Sequence, residues 1–142
     1  MIGETTVRVR YAETDQMGVV YHSNFIIWFE VGRVELLRQL GFDYRKMEIE
    51  DDCAIAVADV HCRYKAPARY DDIILIRTRL TCVRRKVLHF EYDLLRQADH
   101  TVLAQGKTVH VVVNSRFKSH PLPDKYFNAF LSVTELHTNA SQ

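Results

Sequence analysis

Apolar residues recur at intervals of three and four between Ser23 and Gly41, which places them on one face of an α-helix. This face consists of Phe25, Trp28, Phe29, Gly32, Leu36, Leu37 and Leu40. Ser23 suits an N-terminal cap and Gly41 a left-handed C-terminal cap. The pattern therefore predicts a helix of about 17 residues, roughly 26 Å long. Glycine destabilises the middle of a helix, so Gly32 indicates a close approach by another backbone.

Alternating apolar and polar residues predict strands along the rest of the chain. These segments are residues 5–11 before the helix and residues 54–65, 73–83, 87–95 and 101–114 after it. In residues 54–65, strict alternation places Ala56, Ala58, Val60, Cys62 and Tyr64 on one face and Ile55, Val57, Asp59, His61 and Arg63 on the other. One helix cannot cover both faces of a sheet, so the order predicts an α+β fold with a five-stranded antiparallel sheet curled around the helix.

Smaller features complete this outline. Residues 45–49 and 126–131 are predicted as short helical segments, and Gly106 as a bulge or a point of close approach. We expect one domain at residues 1–132 and a flexible tail at residues 133–142. Apolar residues on both faces of residues 101–113 indicate that a second copy covers the sheet. The protein is therefore predicted to be a homo-oligomer, a dimer or a tetramer.

Composition excludes several classes of function. A net charge of +1, from 19 basic and 18 acidic residues, argues against nucleic-acid binding driven by bulk charge. The longest strongly apolar run, residues 25–29, is too short to span a bilayer, and the N-terminus lacks the apolar core of a signal peptide. The three cysteines, Cys53, Cys62 and Cys82, are odd in number and lack metal-ligand spacing. We therefore expect a cytoplasmic protein with reduced thiols, no metal and no cofactor.

Asp15 is the first candidate for chemistry, and the pattern supports two interpretations. The carboxylate forms a turn ahead of Gly18, or it acts beside the positive N-terminal end of the helix, where backbone N–H groups stabilise an oxyanion. The second arrangement suits attack on a carbonyl compound. His22 is interpreted either as a structural residue or as a base, and Glu13 as a solvated residue.

The basic turn formed by Arg84, Arg85 and Lys86 also has two interpretations. It is a solvated hairpin tip, or it is a cradle for phosphate groups, since three adjacent cations attract such anions. His61 and His110 lie in strand patterns without other ligands at metal spacing, so neither is assigned to a metal.

Two motifs resemble those of a known family. Residues 9–22, VRYAETDQMGVVYH, resemble the signature of the hotdog-fold acyl-CoA thioesterases. They are most similar to the Tol-Pal-associated acyl-CoA thioesterase branch and also resemble the 4-hydroxybenzoyl-CoA thioesterases. Residues 64–72, YKAPARYDD, resemble the second recurrent segment of that branch. The similarity in strand order extends from about residue 5 to residue 130.

The resemblance implies a hotdog fold, dimers that pair into tetramers, and hydrolysis of acyl-CoA. In this family the residue that matches Asp15 is the catalytic carboxylate, and the thioester oxygen lies against backbone N–H groups near His22 and Ser23. The implied catalytic residues are Asp15 and His22, and the implied substrate-binding residues are Tyr21, Ser23, Arg84, Arg85 and Lys86. The basic residues are implied to contact the phosphates of coenzyme A.

Other functions remain open at this level. A hotdog-fold hydratase or dehydratase typically has its two key residues five positions apart, in a motif resembling Asp-x-Asn-Pro-x-His. Here Asp15 and His22 are seven apart, with no Asn or Pro between them. A third hypothesis is a non-catalytic acyl-binding subunit. The sequence does not specify the acyl group, the choice between coenzyme A and carrier-protein thioesters, or whether Asp15 is a nucleophile or a general base.

Overall fold

The computed structural model describes residues 1–134 of the chain. This part contains five strands and three helices. In chain order they are β1 (Gly3–Arg8), α1 (Ser23–Gln39), α2 (Tyr44–Glu50), β2 (Ala54–Tyr64), β3 (Ile73–Val83), β4 (Val87–Arg96), β5 (Val102–Val113) and α3 (Asp124–Val133), with a short 3₁₀ turn at Tyr11–Glu13. The sheet has the order β1-β3-β4-β5-β2, and every neighbouring pair is antiparallel. The predicted α+β architecture is confirmed.

The long helix packs its apolar face against the sheet, as its periodicity predicts. Its buried residues are Phe25, Trp28, Phe29, Gly32, Leu36 and Leu37. A Cβ at Gly32 would lie 2.3 Å from Oγ1 of Thr78 on β3 and 2.8 Å from Cγ2 of Ile76. A close approach at Gly32 is therefore confirmed with β3 as the partner, but the atoms nearest to it belong to side chains and not to the predicted backbone. Gly41 has φ +91°, which agrees with a left-handed end of the helix.

Gly106 lets β5 approach the helix in the same way. A Cβ there would lie 2.3 Å from Cζ of Phe29, whose ring stacks on Tyr92 at 4.4 Å between centroids. The strand register is regular at Gly106. Of the two predictions for Gly106, close approach is confirmed and the bulge is wrong.

A bulge occurs instead in β2, and it corrects the predicted alternation. The register between β2 and β5 shifts between Val57 and Asp59, so Ala58 is an extra residue. Val57 lies opposite the buried His110, and Val60 lies opposite the buried Thr108. Because directly opposed residues point to the same face, Ile55, Val57, Val60, Cys62 and Tyr64 share the helix side.

Element ends differ from the predictions by a few residues. The first strand ends at Arg8 instead of continuing to residue 11, because the chain turns into the 3₁₀ segment. Thr134, predicted to lie in the flexible tail, is buried, and its Oγ1 donates to the Leu80 carbonyl at 3.1 Å. Residues 135–142 of the predicted tail lie outside the described residues. No helix in residues 1–134 is long and apolar enough to cross a membrane.

Candidate active site

Glu13 holds together the loop that precedes α1. The residue is buried, with only 8% exposed, and its Oε1 accepts the N–H of Arg10 at 2.7 Å. Its carbonyl oxygen accepts the N–H of Tyr21 at 2.9 Å and Nδ2 of Asn24 at 3.0 Å. The interpretation of Glu13 as a solvated residue is therefore wrong. Its bonds fix the path of the chain into the helix.

Asp15 forms a turn and also faces a cavity. Its Oδ1 accepts the N–H of Met17 at 2.9 Å, and its carbonyl accepts the N–H of Gly18, whose φ is +77°. The other carboxylate oxygen, Oδ2, has no hydrogen-bond partner among residues 1–134. The turn interpretation of Asp15 thus agrees with the structure and leaves one carboxylate oxygen available to a ligand.

The cavity beside Asp15 has a volume of about 390 Å³ and brings the two sequence motifs together. It is lined by Asp15, Val19, Val20, His22, Phe25, Tyr64, Lys65, Ala66 and Pro67. The second motif supplies four of these residues. The N–H of Val20 donates to the carbonyl of Ala68 at 2.8 Å, which holds the two segments side by side.

The N-terminus of α1 at this cavity has no side-chain cap. The helix begins at Ser23, and His22 occupies the cap position with helical φ and ψ of −56° and −31°. The prediction that Ser23 caps the helix is wrong, since Ser23 is already the first helical residue and no described side chain bonds to the free N–H groups. The N–H groups of His22 and Ser23 have no hydrogen-bond partner within residues 1–134. Two backbone donors are therefore free at the positive end of the helix.

Tyr64 connects β2 to this helix end, a contact that the sequence did not predict. Its hydroxyl donates to the carbonyl of His22 at 3.1 Å, and its ring stacks on Phe25 at 5.4 Å. Burial, together with the neighbouring Cys62 thiol, raises the pKa of Tyr64 to about 12. The available signal was the position of Tyr64 at the start of the second motif.

The other residues predicted around the helix start are more peripheral. Tyr21 and Ser23 are exposed and do not line the cavity. His22 lines the cavity, and its ring lies 4.4 Å from the ring of Tyr21 and 6.0 Å from that of Tyr64. No side-chain hydrogen bond or ion pair orients the His22 imidazole in the described part of the chain. Its backbone is therefore better placed for chemistry than its ring.

The basic turn lies at the opposite end of the sheet from Asp15. Tyr64 pairs with Ala104 at one end of β5, whereas Val87, next to the turn, pairs with Val111. The seven residue steps from Ala104 to Val111 correspond to roughly 24 Å. Within one chain, the turn and the cavity therefore belong to two separate regions.

The three residues of the turn also differ from one another. Arg85 donates to the Leu122 carbonyl at 3.0 Å, pairs with Asp124 at 2.6 Å and covers the ring of Phe127. Arg84 and Lys86 are exposed and form no ion pair among the described residues. Arg85 thus has a structural role in holding the segment that leads into α3.

Two further cations lie at this end of the sheet and were not predicted as site residues. Arg116 and Lys118 are exposed in the loop after β5. The side chain of Asn114 accepts the N–H groups of both residues, at 2.9 and 3.1 Å. Lys86 lies close by, because its carbonyl accepts the N–H of Val112. Arg84, Lys86, Arg116 and Lys118 are named the basic end below.

Comparisons with known proteins identify the family of this chain. A family model described as thioesterase-like superfamily matches residues 9–130. The chain belongs to the thioesterase-like superfamily. The acyl-CoA thioester hydrolase YbgC of Escherichia coli is 35% identical over 118 residues, which cover 82% of this chain and 87% of YbgC. The putative acyl-CoA thioesterase YneP of Bacillus subtilis is 43% identical over 77 residues, 54% of this chain and 55% of that relative.

Solved structures support the fold assignment of this superfamily member. A hypothetical protein from Thermus thermophilus superposes with a TM-score of 0.87 at 32% identity, over 94% of this chain and 98% of that chain. The DHNA-CoA thioesterase of Staphylococcus aureus gives a TM-score of 0.83 at 29% identity, over 99% and 91% of the two chains. The predicted hotdog fold and the predicted family are confirmed, and the protein is a thioester hydrolase.

Proposed function

We propose that the protein hydrolyses acyl-CoA thioesters, with Asp15 as the catalytic carboxylate and the N–H groups of His22 and Ser23 as the oxyanion site. One observation carries this proposal. A single cavity joins the free oxygen of Asp15 to the uncapped N-terminus of α1. The names of the relatives YbgC and YneP support acyl-CoA as the substrate class.

The chemistry requires charge stabilisation at the thioester oxygen. Attack on the carbonyl carbon converts this oxygen to an oxyanion, which the two backbone donors stabilise through hydrogen bonds and the helix dipole. The tetrahedral intermediate then collapses, the C–S bond breaks, and the sulfur leaves as the thiol of coenzyme A after taking up a proton. Loss of one donor in such a site typically costs about 10²–10³ in kcat.

Asp15 performs this reaction by one of two routes. As a general base, it removes a proton from water, whose oxygen attacks the carbonyl carbon. As a nucleophile, its free Oδ2 attacks directly, releases the thiol and leaves a mixed anhydride that water then hydrolyses. A single turnover in ¹⁸O-labelled water identifies the nucleophilic route if ¹⁸O enters the protein, because water that attacks the Asp15 carbonyl of the anhydride leaves its oxygen there.

We propose that the active form is a homo-oligomer in which the exposed edges of β2 pair across a two-fold axis. Val57 and Val60 are 50% and 37% exposed on the helix side of this edge. Antiparallel pairing would place the Ala54 end of one β2 beside the Tyr64 end of the other. The basic end of one subunit would then face the cavity of its partner. This arrangement reconciles the distance between Asp15 and the basic turn with a role of these cations in binding coenzyme A phosphates.

Small and medium acyl chains are the proposed substrates, with acyl carrier protein thioesters as a second class and the cytoplasm as the location. Trp28 is buried and its ring lies 5.4 Å from that of Phe25, which lines the cavity, and this packing favours a limited acyl group.

Release of free thiol from a panel of acyl-CoAs tests the proposed function. The panel contains acetyl-, butyryl-, octanoyl-, palmitoyl- and benzoyl-CoA, and the expected result is catalytic thiol release from at least one of them. Hydration of crotonyl-CoA without thiol release would instead identify a hydratase. Stoichiometric binding of acyl-CoA without turnover would identify an acyl-binding subunit.

A further inference from the structure

We propose that Tyr64 is a positioning residue that aligns the oxyanion site from the carbonyl side of the His22–Ser23 peptide. The proposal deepens the function proposed above and rests on it. Tyr64, a residue of β2, holds in place the backbone donors that are free at the start of α1.

A peptide unit carries its carbonyl and its N–H on opposite sides. The His22 carbonyl and the Ser23 N–H belong to one such unit. The carbonyl accepts the Tyr64 hydroxyl at 3.1 Å and the Phe25 N–H at 3.2 Å. Two donors therefore fix the plane of this peptide, and its N–H points toward the N-terminal end of the helix without a partner in residues 1–134.

The preceding peptide is held in a similar way, but only by the helix itself. The carbonyl of Tyr21 accepts the N–H of Asn24 at 3.0 Å, and the N–H of His22 is free among the described residues. A first helical turn without a side-chain cap frays easily. The Tyr64 hydroxyl instead holds this uncapped turn by donating to the carbonyl of His22, so both N–H groups remain available.

Tyr64 is itself well supported for this task. Its ring stacks on the buried Phe25 with an interplanar angle of 29°, and its backbone pairs with Ala104 of β5. The hydroxyl thus belongs to a residue that is paired within the sheet. The raised pKa of Tyr64 keeps the hydroxyl protonated as a donor over the neutral and mildly alkaline range.

The bond also has an electrostatic effect. Donation to the carbonyl oxygen increases the polarity of the whole peptide unit, which strengthens its N–H as a donor by about 10–30% in condensed-phase estimates. The Ser23 N–H then stabilises the oxyanion more than it stabilises the less charged ground-state carbonyl. The contribution of Tyr64 should therefore appear in kcat more than in KM.

The test is Tyr64→Phe, which keeps the ring and its stack on Phe25 and removes the hydroxyl. We expect kcat for the best substrate of the panel to fall about tenfold or more, with KM changed less than about threefold. The matched control is Tyr44→Phe, because the Tyr44 hydroxyl also bonds to backbone, accepting the N–H of Ile55 at 3.1 Å outside the cavity. The control should retain the kcat of the wild type.

A spectroscopic measurement separates positioning from a general loss of stability. The probe is an amide analogue of the best substrate, in which nitrogen replaces the thioester sulfur and the carbonyl carries ¹³C. In isotope-edited infrared difference spectra, the carbonyl band should shift to lower wavenumber on binding to the wild type and shift less in Tyr64→Phe. Equal bands in both proteins, or a kcat of Tyr64→Phe equal to that of the control, would overturn the proposal while leaving thioesterase activity intact. Absence of thiol release by the wild type would refute the proposed function itself.

Discussion

The N–H of Met17 donates to Oδ1 of Asp15 across 2.9 Å, so the residue proposed for catalysis also shapes the turn before α1. Asparagine retains an Oδ1 acceptor for this bond. Asp15→Asn should therefore fold normally while losing the negative charge and the basicity of the carboxylate. We expect hydrolysis of acyl-CoA to fall by at least ~100-fold. Thiol-release kinetics and a thermal unfolding curve check the two halves of this prediction, and a folded variant with near-native rates would contradict the role of Asp15.

The basic end provides a test of coenzyme A recognition. Arg84 and Lys86 are the suitable pair, because Arg85 is engaged with Asp124 and Phe127 and its loss would also disturb α3. The double variant Arg84→Ala and Lys86→Ala should raise KM for acyl-CoA by ~10-fold or more and change kcat less, since phosphate contacts stabilise ground state and transition state alike. Steady-state kinetics measure both constants.

An acyl-pantetheine substrate is the control for this experiment, because it lacks the nucleotide phosphates. Its KM should be nearly unchanged by the same double variant and by added salt, whereas salt should weaken binding of the full substrate. Equal losses with both substrates would show that the basic end does not bind phosphate.

The exposed edge of β2 predicts how subunits associate. Val57→Lys should shift the protein toward monomer, because it introduces a charge on the apolar helix side of this edge. Thr6→Lys is a matched control, since Thr6 is exposed on β1 at the opposite edge of the sheet. Light scattering measures the mass of both variants. A fully active wild-type monomer at micromolar concentration would overturn the proposed oligomer.

Gly32 predicts an unusual response to alanine. In most helix interiors this change stabilises by about 1 kcal/mol, but here the new Cβ would lie 2.3 Å from Oγ1 of Thr78. We expect a net destabilisation of about 1–3 kcal/mol, measured by urea unfolding. Adding Thr78→Ala should recover part of the loss, because it removes the nearest clashing atom. A double variant less stable than the sum of the single changes would argue against this packing contact.

His110 predicts the pH dependence of stability. Burial, together with the positive charge of Arg33, lowers the pKa of His110 to about 4 from its ordinary 6.5. Between these values the unfolded chain binds the proton and the folded chain does not. The neutral His110 therefore contributes to the free energy of unfolding above about pH 6.5. This contribution falls by up to about 3 kcal/mol as the pH falls toward about 4.

Unfolding at several pH values checks the prediction for His110. His110→Gln should flatten the slope in this range, because glutamine does not titrate. His100→Gln is the control, since His100 is exposed in the turn between β4 and β5. An unchanged slope in His110→Gln would mean that other groups cause the pH dependence.

The sequence alone determined much of this molecule. The spacing of apolar residues predicted α1 and the five strands of the sheet, because these periods reflect which face of each element meets the core. Gly32 and Gly106 signalled close approach, and the motif around Asp15 indicated the site through its family resemblance. Such signals are local, so a single stretch of chain contains them.

The tertiary structure decided the features that depend on distant residues. Alternation along residues 54–65 gives no sign of the bulge at Ala58, which is defined only by pairing with β5. The burial of Glu13 depends on the fold of its loop, and the engagement of Arg85 depends on α3. Tyr64 and His22 are 42 residues apart, and only folding brings the hydroxyl of one to the carbonyl of the other. Periodicity specifies which face of an element is buried, whereas hydrogen-bond partners are specified by the three-dimensional packing of those faces.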